Sequence, residues 1–339
     1  MIRPTSEKAE LTSSPHPEPV EGRRRAPRGD AVVATSRQSI EQGSKSFAAA
    51  ARLFDRRTRE SAWLLYAWCR HCDDVIDGQA LGQGAAEPSP EEKRARLAGL
   101  YAQTRAALAG EPAADPTFAA FQRVALRHSL PGAWPLELLA GFGMDVDEAR
   151  YATLEDLLVY CWRVAGVVGV MMARIMGVED EAVLRRACDL GLAFQLTNIA
   201  RDIVADAELG RVYLPADWLA EAGVEPSPAA VADPAGRVAV FAAARRLIEA
   251  AEPYYDSALE GLPALPFRSA WAIAAARGVY REIGREVLRE GPRAWDTRPV
   301  VGGGRKAQRA LEGGAIGVRA VTLERLRPRP PRPALWSPF

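Results

Sequence analysis

An all-α fold is predicted by three features of this 339-residue sequence. Alanine, leucine, arginine and glutamate, which are strong helix formers, dominate the chain between residues 36 and 290. Alternating apolar and polar runs, which are typical of half-buried strands, are scarce. Sequence signals for β-hairpins and βαβ units are absent. Because apolar residues make up 48% of the chain, the sequence can build the core of one large helical domain.

Nine helices are predicted in order along the chain, and three pairs of prolines mark loops at or next to the breaks between them. Those pairs are Pro88 with Pro90, Pro131 with Pro135, and Pro226 with Pro228. The predicted helices cover residues 36–54, 58–78, 91–110, 115–128, 134–146, 153–177, 180–206, 233–261 and 266–290.

The chain is predicted to consist of three segments. Residues 1–35 are rich in proline, glutamate, arginine and serine, and we expect them to form a disordered N-terminal extension. Residues 36–295 form the helical domain. Residues 296–339 are expected to be a flexible segment rich in glycine, proline and arginine, with three consecutive glycines at 302–304 and a polyproline-type tail from Arg327.

The composition excludes several classes of protein. Lys and Arg number 44 against 43 for Asp and Glu, so the net charge of +1 gives no general attraction to nucleic acid. Four cysteines are too few for a disulfide framework in a chain of this length, which favours a reducing, cytoplasmic location. The sequence has no run of eighteen apolar residues, so no membrane span is predicted, and the N-terminus has no apolar signal-peptide core.

Two of the predicted helices each carry aspartates four residues apart, and residues four apart share one helix face. The first pair is Asp73 and Asp77, and the second is Asp202 and Asp206. Like charges at this spacing repel by about 0.2–0.5 kcal/mol on an exposed helix, and burial makes the cost larger. Since both helices are otherwise apolar, a solvated acidic face does not explain the two pairs together.

The neighbours of these aspartates indicate a phosphorylated ligand bridged by metal. Tyr66 and Arg70 fall within about 60° of the first pair on a helical wheel. Oxygen-only ligands suit magnesium, which takes one or two carboxylates and completes its shell with water and phosphate oxygens. The candidate cations for the phosphates are Lys45, Arg70 and Arg201. The alternative interpretation is a set of buried salt bridges, for example between Arg70 and Asp73.

These segments resemble those of the squalene and phytoene synthase family. Residues 66–77, YAWCRHCDDVID, resemble its first aspartate-rich motif, and residues 190–215 resemble its second with matching spacing. Residues 160–169 resemble the central helix of the family, and residues 44–47 resemble its N-terminal diphosphate-contacting segment. The resemblance extends from about residue 36 to about 290 and is strongest to the bacterial phytoene synthase branch.

The resemblance implies a single-domain isoprenoid synthase fold, with helices around a central active-site cavity. It also implies a prenyltransferase that condenses two geranylgeranyl diphosphates head to head, through a cyclopropylcarbinyl diphosphate, to phytoene in carotenoid biosynthesis. The implied cofactor is Mg²⁺, with Mn²⁺ as an alternative, and NADPH is not required.

Particular residues receive roles from this resemblance. The implied metal ligands are Asp73, Asp77, Asn198, Asp202 and Asp206. The implied catalytic residues are Tyr66, Arg70, Asp73, Asp77, Tyr160, Asp202 and Asp206. The implied substrate-binding residues are Ser44, Lys45, Ser46, Phe47, Gln195, Arg201, Arg211 and Tyr280. A reactive carbocation must be kept from water, so the cavity wall should be apolar, and Val164, Ala165, Val168, Gly169 and Met172 are predicted to form it.

Two other functions remain open at this point. One is a relative that uses fifteen-carbon substrates and makes dehydrosqualene, squalene or presqualene diphosphate. The other is a non-catalytic helical assembly factor, which would have no use for the metal ligands. Because the product of either synthase is very apolar, we expect a cytoplasmic protein with peripheral contact to the inner face of the cell membrane. The expected partners are prenyl diphosphates, a membrane surface and a downstream phytoene desaturase, and not nucleic acid.

Overall fold

The computed structural model describes residues 28–80, 83–84, 88–297 and 301–339. Of the predicted N-terminal extension, residues 1–27 lie outside these ranges. The described part of the chain is all-α, as predicted, apart from one antiparallel pair of two-residue strands in which Gln79 lies opposite Gly84.

The helices and strands before the central part of the chain are α1 (Arg28–Gly43), α2 (Lys45–Ala51), α3 (Arg56–Asp77), β1 (Gln79–Ala80), β2 (Gln83–Gly84), α4 (Pro90–Leu108), α5 (Pro116–His128) and α6 (Ala133–Val146). Those that follow are α7 (Leu154–Cys161), α8 (Val167–Ile175), α9 (Glu181–Glu208), α10 (Ala216–Glu221), α11 (Pro228–Ala232), α12 (Arg237–Leu259), α13 (Phe267–Glu290) and α14 (Gly303–Arg319). The π-helical turns are Trp162–Gly166 and Ala320–Glu324, and the 3₁₀ turns are Pro234–Gly236, Leu262–Ala264 and Gly291–Arg293.

Local capping determines where α3 begins and ends. The carboxylate of Asp55 accepts hydrogen bonds from the backbone N–H of Thr58 at 3.0 Å and from its hydroxyl at 2.6 Å. At the other end, Gly78 has φ of +67°, a left-handed conformation that favours glycine. These caps place Asp73 and Asp77 in the last turns of the helix, where the negative end of the helix dipole disfavours carboxylates.

Helix α9 forms the centre of the fold. It packs against α8, α11, α12 and α13 and is buried on most of its circumference. Its approach to the turn Trp162–Gly166 depends on Gly191, because a Cβ there would lie 2.6 Å from the Cα of Gly166. Likewise, a Cβ on Gly169 would lie 2.5 Å from the carbonyl oxygen of Ala187. The small residues of both segments therefore set how closely these helices pack.

The first helix differs from its predicted bounds. It begins at Arg28, so residues 28–35 are helical and not part of a disordered extension. The reason is that Val32 and Val33 pack against the core about two turns before the buried Ile40. The predicted helix 36–54 is divided at Ser44, whose hydroxyl caps α2 by accepting a hydrogen bond from the backbone N–H of Phe47 at 3.2 Å.

The prediction of a flexible segment over residues 296–339 is wrong for α14. This helix packs on α13 through Gly313 and Gly317, and a Cβ on Gly313 would lie 2.6 Å from the backbone nitrogen of Ala275. Glycines that resemble a linker in the sequence therefore allow two helices to touch. The short helices α10 and α11 were not predicted, because six and five residues give too little apolar periodicity to detect.

The C-terminal tail is bound to the body by buried polar groups. Arg332 donates to both carboxylate oxygens of Asp189, at 2.9 and 2.6 Å, and that carboxylate is fully buried. Asp189 also accepts a hydrogen bond from the hydroxyl of Ser257 at 2.6 Å. Arg186 donates to the carbonyl of Pro330 at 2.5 Å. The proline-rich tail is thus part of the folded structure over these residues.

One helical stretch in the described ranges, Leu154–Ile175, is long and apolar enough by length and composition to cross a membrane. Half of its most apolar window is buried among the other helices. Such burial is usual for a core helix, and this stretch includes part of the cavity wall described below.

Candidate active site

A cavity of about 340 Å³ lies between the helices. Its walls are mostly apolar and come from α2, α3, α8, α9 and α13. The five residues predicted to form its wall do line it, which confirms that part of the prediction. They are Val164, Ala165, Val168, Gly169 and Met172.

The cavity is elongated along α9. Asn198 and Val183 both line it and are fifteen residues apart on that helix, which corresponds to about 22 Å. The polar lining residues Gln195 and Asn198 lie toward the end that carries Asp202, whereas Leu262 and Leu265 lie toward the other, distal end. The volume lies within the roughly 300–1,000 Å³ of ligand pockets, and the length and apolar lining of the cavity suit extended hydrocarbon chains.

The first aspartate pair lies beside Arg70. This guanidinium donates to Asp73 at 3.0 Å and pairs with Asp74 at 2.8 Å. Burial raises the pKa of Asp73 to about 6, against the effect of Arg70, and the charges of Asp77 and Asp74 add to the rise. A salt bridge therefore exists, as the alternative interpretation expected, but it does not neutralise the pair.

The second aspartate pair lies in the last turns of α9. Asp202 accepts from Arg201 at 2.9 Å, with a second, shorter contact between the same two side chains. Burial raises the pKa of Asp206 to about 7, and the neighbouring charge of Asp202 adds to that rise. Near pH 7, Asp206 therefore still holds a proton for part of the time, whereas a carboxyl group in water is ionised at that pH.

Arg211 and Asp145 connect the two pairs. The Arg211 guanidinium donates to Asp77 at 2.6 Å and also lowers the pKa of Asp206. The charge of Asp145 raises the pKa of both Asp73 and Asp206. The two aspartate-bearing helix ends therefore face one another.

Asp145 itself lies at the end of α6 and is held by two hydroxyls. Tyr213 donates to it at 2.8 Å and Tyr160 at 3.1 Å. Burial raises the pKa of Asp145 to about 6, although Arg211 and the two hydroxyls act in the opposite direction. The rings of Tyr160 and Tyr213 stack at 5.0 Å, and Tyr151 packs 5.5 Å from Tyr160.

Four aromatic rings pack together, and three of them, Phe47, Tyr66 and Phe194, line the cavity. Tyr280 stacks on Phe194 at 4.1 Å and on Phe47 at 5.5 Å, and Phe47 meets the edge of Tyr66 at 6.5 Å. A Cβ on Gly43 would collide with the Tyr66 hydroxyl, so this glycine gives that side chain its space. Burial raises the pKa of both tyrosines to about 12, so their hydroxyls stay protonated.

The remaining residues that were predicted to bind substrate are found on α2 and α9 and just before α2. Gln195 lines the cavity one helical turn from Asn198. Ser44 uses its hydroxyl to cap α2, and the adjacent Lys45 is exposed. The side chain of Ser46 lies outside the described part of the structure.

The residues present fit a divalent metal that is completed by a ligand. The Oδ1 atom of Asn198 is buried, lines this end of the cavity and has no hydrogen-bond partner in the described structure. A buried unpaired oxygen is costly unless something binds it. No three acidic, histidine or cysteine side chains among the described residues form a ready metal site. Phosphate oxygens and water would therefore have to supply most ligands, as magnesium prefers.

Sequence reasoning did not assign roles to Asp145, Tyr151 and Phe194. The signal for Asp145 was a carboxylate at the end of a mostly apolar helix, and Tyr213 lies inside the second motif. No spacing rule connects α6 to α3 and α9, so only the folded chain brings Asp145 to the other aspartates.

Comparison with known proteins gives consistent matches. A family model described as squalene/phytoene synthase matches residues 40–305. A 15-cis-phytoene synthase from Enterobacter agglomerans is 56% identical over 298 residues, covering 88% of this chain and 99% of the relative. A 15-cis-phytoene synthase from Pantoea ananas is 54% identical, covering 88% of this chain and 96% of the relative.

A solved structure agrees with the sequence matches. A dehydrosqualene synthase in complex with ligand superposes with a TM-score of 0.75 at 28% identity, over 85% of this chain and 96% of that one. Its fold extends over nearly the whole helical body described above. The chain belongs to the squalene/phytoene synthase family.

Proposed function

We propose that this protein is a 15-cis-phytoene synthase, a prenyltransferase that joins two geranylgeranyl diphosphates head to head. The observation that carries the proposal is the position of two aspartate pairs at one end of a long apolar cavity. Its relatives from Enterobacter agglomerans and Pantoea ananas carry the same name at 56% and 54% identity. Two diphosphates leave in the course of the reaction, and two protons are lost as phytoene forms.

The polar end of the cavity is proposed to receive the two diphosphate groups. Asp73, Asp77, Asn198, Asp202 and Asp206 would hold magnesium, with manganese as a substitute. The metal, when bound, stabilises the negative charge that develops on a leaving diphosphate. Residues that would contact the diphosphates directly are Ser44, Lys45, Ser46, Arg70, Gln195, Arg201, Arg211 and Tyr280.

The aromatic rings and the apolar wall are proposed to manage the carbocations that follow. The faces of Tyr66, Phe47 and Phe194 attract positive charge, and Tyr160 is held in place by its bond to Asp145. The apolar wall excludes water, which would otherwise capture the cation as an alcohol. No reducing cofactor is needed because the last carbocation gives phytoene by losing a proton and not by accepting a hydride.

The helical body from Arg28 to residue 295 is proposed to be the catalytic domain. We further propose that the protein acts in the cytoplasm at a membrane surface and passes its product to a desaturase, because a forty-carbon hydrocarbon does not dissolve in water. The apolar character of the cavity supports this assignment.

The test is to incubate the purified protein with geranylgeranyl diphosphate and Mg²⁺, without NADPH, and to analyse the extract by mass spectrometry. We expect phytoene, a forty-carbon hydrocarbon. Asp202→Ala should lose turnover, and Asp147→Ala, which removes a carboxylate of 70% exposure outside the cavity, should not. A thirty-carbon product from farnesyl diphosphate alone would assign the protein to the shorter-chain branch, and no product from either substrate would contradict an enzymatic role.

A further inference from the structure

A cluster of apolar side chains is exposed at the end of the molecule that carries the start of α13. Phe267, Val318, Leu323 and Leu326 have exposed fractions of 38%, 50%, 62% and 89%. Single exposed apolar residues are common on protein surfaces, but a group within two neighbouring segments requires an explanation. We call these four residues the distal patch.

Contacts of α13 with the end of α14 and with the turn that follows it hold the distal patch together. The ring of Phe267 packs 5.8 Å from that of Trp271. A Cβ on Gly317 would lie 3.1 Å from the backbone nitrogen of Trp271, so Val318, the next residue, lies beside the first turns of α13. The turn Ala320–Glu324 also contacts α13.

Arginines surround the distal patch. From Gly314 to Arg329 the sequence carries four arginines and a single glutamate, Glu324. Arg319, Arg325 and Arg327 are exposed, as is Arg268 next to Phe267, and Arg319 also pairs with Glu324 at 2.6 Å. An apolar centre with a basic rim is the composition that binds the surface of an anionic lipid bilayer, where the apolar groups enter the acyl boundary and the arginines meet phosphates.

The distal patch lies next to the distal end of the cavity. Arg325 donates to the carbonyl oxygens of Pro263 at 2.9 Å and Leu265 at 2.6 Å. Leu262 and Leu265 line the cavity, so the turn that they flank separates the cavity from Arg325. Tyr280, at the diphosphate end, is thirteen residues from Phe267 on α13, or about 20 Å away. The distal patch is therefore far from the aspartates and close to the end of the apolar channel.

We propose that the distal patch and its arginines dock this protein on an anionic lipid bilayer, with the distal end of the cavity facing the membrane. The reason for docking there rests on the proposed function. A hydrocarbon product can leave the cavity directly into the apolar interior of a membrane that lies at the end of the cavity. The binding itself is a property of the surface and can be measured without any catalysis.

The test is sedimentation of the purified full chain with vesicles of phosphatidylcholine alone or with about 30 mol% phosphatidylglycerol as the anionic lipid. We expect binding to the anionic vesicles that weakens with salt. Leu323→Glu with Leu326→Glu should abolish it, and Arg319→Gln with Arg327→Gln should weaken it roughly fivefold for each arginine removed. The control is Leu126→Glu with Val238→Glu, which charges two residues of similar exposure elsewhere and should leave binding unchanged.

Turnover of geranylgeranyl diphosphate in detergent is measured on the same variants. Variants that stay active but no longer sediment support the proposal, and wild-type binding without any turnover would contradict the proposed function while leaving the docking surface intact. The proposal is overturned if the wild-type protein stays in the supernatant with both vesicles, or if the patch and control variants bind equally. It is also overturned if analytical ultracentrifugation shows that the Leu323 and Leu326 changes break a dimer and do not affect vesicle binding.

Discussion

At the scale of single residues, the site is defined by carboxylates in positions that local energetics disfavour. Asp73, Asp77 and Asp206 occupy the last turns of α3 and α9, where the helix dipole repels them, and each is close to other acids. Burial and like charge raise the pKa of Asp206 to about 7. Residues that reduce stability in this way are expected where a ligand compensates for them.

Asp145 offers the sharpest test at this scale, because two buried hydroxyls depend on it. Asp145→Leu would leave Tyr160 and Tyr213 without their acceptor and should lower the free energy of unfolding by about 1–3 kcal/mol for each hydroxyl. Asp145→Asn keeps an acceptor and a donor in the same place and should be much less destabilising. Denaturant unfolding of both variants measures the difference, and equal losses would show that the hydroxyls do not need this acceptor.

At the scale of elements, the sequence predicted the long helices well and the close contacts poorly. The periodicity of α3, α9 and α13 is sufficient to identify each of them, and the paired aspartates follow directly from their spacing. Asp145 and the packing of α14 could not be predicted, because they depend on which helices meet in space. Gly313 is the clearest example, since the same residue is compatible with a flexible linker and with a tight helix contact.

Gly191 provides a prediction about helix packing. Gly191→Ala places a methyl group against the backbone of Ala165 and Gly166, and this backbone can move only by displacing the cavity wall. We expect a loss of about 1–3 kcal/mol in the free energy of unfolding. Gly99→Ala on α4 is the matched control, since nothing lies within 4 Å of the new methyl group. That change should stabilise by about 0.5–1 kcal/mol, and a similar loss at both sites would contradict the packing argument.

The C-terminal tail provides a second prediction at this scale. Arg332→Ala would leave the fully buried Asp189 carboxylate without its bidentate partner and should cost about 3–5 kcal/mol. Arg329→Ala removes an exposed pair with Asp180 from the same tail and should cost less than about 1 kcal/mol. Thermal or denaturant unfolding separates the two, and if the losses are equal, the tail contributes no buried ion pair to stability.

At the scale of the whole molecule, folding and metal binding are coupled through protons. The pKa of Asp206 rises from 3.8 to about 7 in the folded state. A raised carboxyl pKa means that the folded chain holds a proton that the unfolded chain releases. The resulting stability is fully present below about pH 4 and is lost as the pH rises through 7. Asp73, with its pKa raised to about 6, acts in the same direction.

Magnesium should reverse this loss, because it binds the ionised carboxylates and not the protonated ones. We therefore expect the rise in melting temperature on adding Mg²⁺ and inorganic diphosphate to be small at pH 6 and large at pH 8. Differential scanning calorimetry at both values measures it. Asp206→Asn removes the titrating group with little change of shape, so it should reduce both the loss of metal-free stability between pH 6 and 8 and the gain from the metal. If the wild-type protein and this variant respond alike, then Asp206 does not link protons to the metal, and the assignment of the second aspartate pair has to be revised.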